Sequence, residues 1–289
     1  MRTKLYGKLT AVAALLVLGW ASVVLADGRL SAFVPGEKLT FDLKWGFIPA
    51  GKAVLEVRPM KMVDGVESYH FVMQAKTNAF IDAIYRYRSR VDAYADRLLT
   101  RSLHYHKKTE LGAKTKEDTV HFDWEMNEAR FRRTGKYPGE KPEIQTERRR
   151  VPLMQGTFDP LSVFYFTRQL QVGPGAPIVR PVSDGRKCVL ATVMILKRET
   201  LRLNGKDYDT YLVEPDLKHV GGVFEKSKDA KIHLWVTADE RRIPVKIRSK
   251  VAVGYFTGEL ISAEFNDKAA TGGIQTQDSG SRVTADRFP

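Results

Sequence analysis

The chain has 289 residues, one cysteine and a formal charge of +13. A single cysteine excludes an internal disulfide, so the fold must be held by its core. The charge points to anionic partners such as phospholipid headgroups, lipopolysaccharide, acidic glycans or, in principle, nucleic acid.

Arg2, Lys4 and Lys8 come first, with no acidic residue among them. An apolar stretch runs from Leu9 to Leu25, and Val24-Leu25-Ala26 is followed by polar Asp27-Gly28. This order is that of a secretory signal peptide over residues 1–26, which predicts a periplasmic protein and argues against nucleic acid as its partner. An uncleaved inner-membrane anchor is the alternative, because the run approaches the ~18 apolar residues that can span a bilayer. Removing the segment takes away three positive charges and leaves +10.

Residues 27–265 alternate apolar and polar side chains in short runs. Leu39, Phe41, Leu43 and Trp45 are interleaved with Thr40, Asp42 and Lys44, and Ala53, Leu55 and Val57 with Lys52 and Glu56. Val120, Phe122 and Trp124 repeat the pattern, as do Ile232, Leu234 and Val236, then Val245, Ile247, Val251 and Val253. Each run reads as a strand with one face buried. Turn signals separate the runs at Pro49-Ala50-Gly51, Asp64-Gly65, Asn127-Glu128, Pro138-Gly139, Ser183-Asp184-Gly185, Asn204-Gly205 and Gly221-Gly222. Asp64-Gly65 and Asn204-Gly205 suit tight hairpins that need positive φ at both central residues. The predicted fold is all-β: a large curved antiparallel sheet forming a half-barrel or open barrel.

Two helices interrupt the strands. Asp159-Pro160 supplies a cap and first turn, followed by Leu161, Phe164, Tyr165 and Arg168 at helical spacing. A shorter helix is predicted from Asn78 to Ile84, with Phe80, Ala83 and Ile84 on one face. Both are expected to cover the open side of the sheet. Gly135 to Glu143 reads as an exposed loop and Gly173 to Pro181 as the connection between two halves. Residues 266–289 have little apolar content and read as a disordered tail.

No hydrolase signature occurs, which favours a non-enzyme with no cofactor. His104 and His106 share a strand face and could reach one metal ion, but no third ligand stands at a telling spacing, so no metal site is assigned. Cys188 lies in an apolar run and reads as a packed thiol. Arg86, Arg88 and Arg90 recur at strand spacing, and Arg132-Arg133 and Arg148-Arg149-Arg150 flank the Pro-rich loop. The latter two groups could meet across a hairpin and hold phosphate or carboxylate, or could keep a sheet edge from aggregating. Trp45, Phe122, Trp124, Phe164 and Trp235 are candidates to line the concave face, as packed core or as a pocket for an acyl chain.

Pro35-Gly36-Glu37-Lys38-Leu39-Thr40-Phe41-Asp42-Leu43-Lys44-Trp45-Gly46 and Ala50-Gly51-Lys52-Ala53 resemble the opening of domain-of-unknown-function family 3108. Asp159 to Tyr165 looks like its central helix, and Leu234 to Ile247 like its late hairpin. The resemblance runs from about Pro35 to Phe265 and implies a periplasmic β-sheet protein without known catalytic residues. The architecture is also similar to that of the lipoprotein carriers LolA and LolB, which hold acyl chains in a half-barrel closed by helices; fold analogy alone does not assign function.

The resulting expectation is a periplasmic binding protein. Its concave apolar sheet would hold a lipid or lipid-linked envelope component, with Arg133, Arg148 and Arg150 meeting an anionic headgroup at the rim. Membrane contact would be peripheral at most. A scaffold with a solid core, binding another envelope protein through its sheet surface or edges, is the second reading, and an enzyme acting on envelope glycans or lipids is the third.

Overall fold

The computed structural model describes residues 31–171, 173–216, 231–250 and 254–266. The expected signal segment, the Gly221-Gly222 turn and the tail beyond Asn266 lie outside the described residues. These residues form fourteen strands and two helices in one antiparallel sheet. The strands are β1 (Glu37–Trp45), β2 (Ile48–Val63), β3 (Val66–Thr77), β4 (Tyr87–Asp96), β5 (Ser102–Leu111), β6 (Lys114–Asp123), β7 (Glu128–Lys136), β8 (Ile144–Pro152), β9 (Pro177–Ser183), β10 (Cys188–Leu203), β11 (Lys206–Pro215), β12 (Ile232–Thr237), β13 (Pro244–Lys250) and β14 (Tyr255–Phe265). Helix α1 (Ala79–Tyr85) lies between β3 and β4, and α2 (Pro160–Gln169) between β8 and β9.

The spatial order is β8-β7-β6-β5-β4-β3-β2-β1-β14-β13-β12-β11-β10-β9. Two meanders, β1–β8 and β9–β14, are thus joined into one sheet where β1 pairs with β14. The sheet is curved and not closed, since β8 and β9 remain edges. Hairpins explain most neighbour relations: each short loop returns the chain beside the strand it left.

Helix α2 covers the concave face of the first meander. Leu161 and Tyr165 pack with Val57, Phe71, Val91, Ala93, Tyr105, Val120, Phe122 and Phe131 in one cluster. The Tyr165 ring stacks on Phe71 with centroids 4.0 Å apart. The helix starts where the sequence predicts, because Asp159 accepts from the Leu161 and Ser162 amides at 2.8 and 2.9 Å. Its far end is tied down by a buried ion pair: Arg168 donates to both Glu37 carboxylate oxygens, at 2.6 and 2.9 Å. The same guanidinium donates to the carbonyls of Ala32 and Arg241. A second cluster, with Leu39, Phe41, Leu203, Val245 and Leu260, continues the core under β1 and β14.

Three expectations are corrected. Helix α1 does not cover the sheet; none of its residues is fully buried, and Phe80, Ile84 and Tyr85 face outward. Pro49-Ala50-Gly51 lies inside β2, at a register shift against Leu43 and Lys44, and the turn is one step earlier at Gly46-Phe47. Gly51 is needed there because a Cβ would collide with the carbonyl oxygen of Lys76. Finally, the connection between the two halves ends at Ala176, since Pro177 opens β9. Its prolines are tolerated because β9 is an edge strand, where one side needs no ladder donors.

Candidate anion-binding cleft

Alternation along β2 to β5 puts two side-chain sets on opposite faces. Val57, Phe71, Val91 and Tyr105 face α2. The opposite face carries two adjacent cross-strand rows. Lys52 pairs with Lys76, Lys76 with Arg88, and Arg88 with Glu110. Beside them run Val54, Gln74, Arg90 and Lys108 in the same registers. Together these residues line a cleft of about 290 Å³.

Five cations and one carboxylate face this cleft, and their partners decide its character. Arg88 donates to Asp82 of α1 at 2.9 Å, and that contact, with a hydrogen bond from Thr77, holds the Asp82 carboxyl down to about 2. Arg90 grips Asp92 through two 2.7 Å bonds. Lys108 lies 3.4 Å from Glu110. Lys52 and Lys76 make no ion pair among the described residues and stand directly opposite each other, while on its other side Lys52 faces Asp42 of β1. Like charges directly opposite each other destabilise a sheet. An anion seated between them would remove the repulsion.

Beyond this cleft the same face carries histidines. Burial lowers the His70 pKa even though Asp92 lies 2.8 Å from its Nε2 and pulls the other way. Its ring stacks on Tyr94 at 4.5 Å. His104 stands opposite His121 in register, and His106 contacts Glu117 at 2.8 Å. Among the described residues no three His, Cys, Asp or Glu side chains are grouped to hold a metal.

The other predicted site residues are spread through the fold. Phe122 is buried under α2, and Trp124 and Phe164, both partly buried, pack against the same cluster. The Trp124 indole donates to the Ser102 carbonyl at 2.8 Å. Trp45 is partly exposed and stacks on Phe256. Trp235 lines a second cleft, of about 600 Å³, with Lys231, His233, Arg248, Lys250 and Tyr255, and donates to Glu199 at 2.9 Å. Two of the charged groups there are engaged: Lys231 lies 3.5 Å from Glu214, and Arg248 sits over the Tyr255 ring.

Arg133 is occupied by Asp118 through bonds of 2.6 and 2.8 Å, in a cross-strand ladder with Lys107 and Glu147. Arg148 faces Arg132, and Arg150 faces Arg130, across β7 and β8. Arg150 lies 3.6 Å from Glu128. Because β8 is a sheet edge, its arginine run has the composition that blocks edge-to-edge pairing. Sequence reasoning picked out Arg88 and Arg90 but not Lys52, Lys76 and Lys108. The available signal was phase: cations on the wet positions of four consecutive strands.

The model of the family of proteins of unknown function DUF3108 matches residues 40–261. No curated protein matches. Among solved structures, a β-barrel-like protein of domain of unknown function DUF1849 from Brucella abortus is 12% identical, with a TM-score of 0.47, covering 81% of this chain and 100% of that one. A protein from Bacteroides fragilis, named for export and for a YmcC-like fold, is 9% identical, with a TM-score of 0.25, covering 80% of this chain and 96% of that one.

Proposed function

Because this chain belongs to the DUF3108 family of proteins of unknown function, we propose a role from its own geometry: a non-enzymatic envelope protein that binds a phosphate-bearing anion. The observation that carries this reading is the unpaired Lys52–Lys76 couple inside a basic cleft. Its envelope location rests on the N-terminal export pattern. The volume is at the small end for ligand sites, which suits a headgroup and not an acyl chain. The ligand therefore sits on the face turned away from α2, since the concave face beneath the helix is occupied by packed side chains.

Titration calorimetry at low salt, with inorganic pyrophosphate and with dihexanoyl phosphatidylglycerol, tests this reading. The expected result is binding that Lys52→Glu with Lys76→Glu weakens at least about tenfold, equivalent to ~1.4 kcal/mol. Absence of binding to both probes, or equal binding by the double variant, would overturn it.

A further inference from the structure

One end of the sheet displays strongly exposed apolar side chains. Phe47, in the β1–β2 turn, is 93% exposed, and Phe80 and Ile84 of α1 are 67% and 79% exposed. The two segments are neighbours: the Asn78 amide donates to the Ala50 carbonyl at 3.0 Å, and its side chain to the Pro49 carbonyl at 2.7 Å. Trp45 and Tyr85 lie at the same end, and both are exposed. Single exposed apolar residues are ordinary. A helix that fully buries none of its residues and presents Phe80 and Ile84 four positions apart is different, because such a pair shares one face.

The charges beside this end are positive in excess: Lys52, Lys76, Arg86 and Arg88 against Asp42 and Asp82. The unpaired Lys52 and Lys76 adjoin it, since Lys52 follows the turn by a few residues and Lys76 precedes Asn78 by two. Aromatic side chains with neighbouring cations are the composition that settles at the headgroup level of an anionic bilayer. We infer that this end, built from the β1–β2 turn and α1, docks on an anionic lipid surface. The apolar side chains enter the interface, and the lysines lie over the headgroups. Docking goes beyond anion binding in the cleft and does not depend on it.

Every described element lies within residues 31–266, so a chain starting at Asp27 keeps both core clusters and is the form to use. It would be mixed with vesicles of phosphatidylethanolamine and phosphatidylglycerol, or of phosphatidylcholine alone. Sedimentation measures the bound fraction, and the difference in tryptophan emission between this chain and its Trp45→Phe variant reports on Trp45, since Trp124 and Trp235 also emit. The inference predicts partitioning at least about tenfold stronger on the anionic vesicles, with a blue shift that high salt weakens. Phe47→Ser with Phe80→Ser and Ile84→Ser should reduce partitioning at least about tenfold while leaving the melting temperature and pyrophosphate binding unchanged. Lys52→Glu with Lys76→Glu should lose pyrophosphate and still give the blue shift at high protein concentration, so the two readings fail separately. Docking is overturned if the unaltered chain ignores both vesicles, or if the triple serine variant binds as well as it does. Concentration-dependent dimerisation through this end, without vesicle binding, would assign it to a second copy and overturn docking too.

Discussion

Individual side chains show where burial leaves chemistry unfinished. Tyr165 is fully buried and stacked on Phe71, yet its hydroxyl finds no hydrogen-bond partner among the described residues. Burying an unpaired hydroxyl costs about 1–3 kcal/mol. Tyr165→Phe is therefore expected to leave stability unchanged or raise it by about 1 kcal/mol, read as a higher urea midpoint; a clear loss would mean the hydroxyl is satisfied. His70 gives a pH dependence. Its folded pKa is below the ordinary value because burial outweighs Asp92, so the unfolded chain takes up the proton first as pH falls. The stability is complete above about pH 6.5 and declines as pH drops through and below that value. Urea midpoints at pH 8 and pH 5 should show this decline, and His70→Gln should make it shallower. An equal decline in the variant would move the cause elsewhere.

At the scale of elements, α2 and α1 differ in a way their sequences do not reveal. Both have a capping residue and apolar side chains at helical spacing, and both form as that pattern predicts. Only α2 meets a concave sheet face, and it is fixed there by Arg168 and Glu37, residues 131 positions apart. The strand pattern and the Asp159 cap are local signals and were legible. The Arg168–Glu37 pair, the outward face of α1 and the edge position of β9 depend on which strands become neighbours, so no local window contains them. Breaking a buried ion pair on one side leaves an uncompensated charge and costs about 3–5 kcal/mol. Glu37→Gln or Arg168→Met should each cost that much in denaturant unfolding, and pairing Glu37→Leu with Arg168→Met should recover much of it. Additive losses in the double variant would show that the pair does not act as a unit.

The described residues form a single sheet made of two meanders, the first packed under α2 on one face and carrying charge on the opposite face. The curved antiparallel architecture could be read from alternation and turn residues, since each strand announces its own buried face. The basic cleft could not be read, because Lys52, Lys76 and Lys108 become neighbours only through the registers of β2 to β5. The aromatics expected to line a pocket include Phe122, whose ring is spent on packing the core. The binding proposed above is placed at the basic cleft and the apolar end beside it, and not in the concavity.

The most direct test of that placement is an NMR titration of the isotopically labelled chain with inorganic pyrophosphate. The account predicts amide shifts that saturate together at Lys52, Lys76, Arg90 and Lys108 and vanish in the Lys52→Glu, Lys76→Glu variant. Shifts confined to residues under α2, or to Arg148 and Arg150 on β8, or no saturable shifts at all, would contradict it.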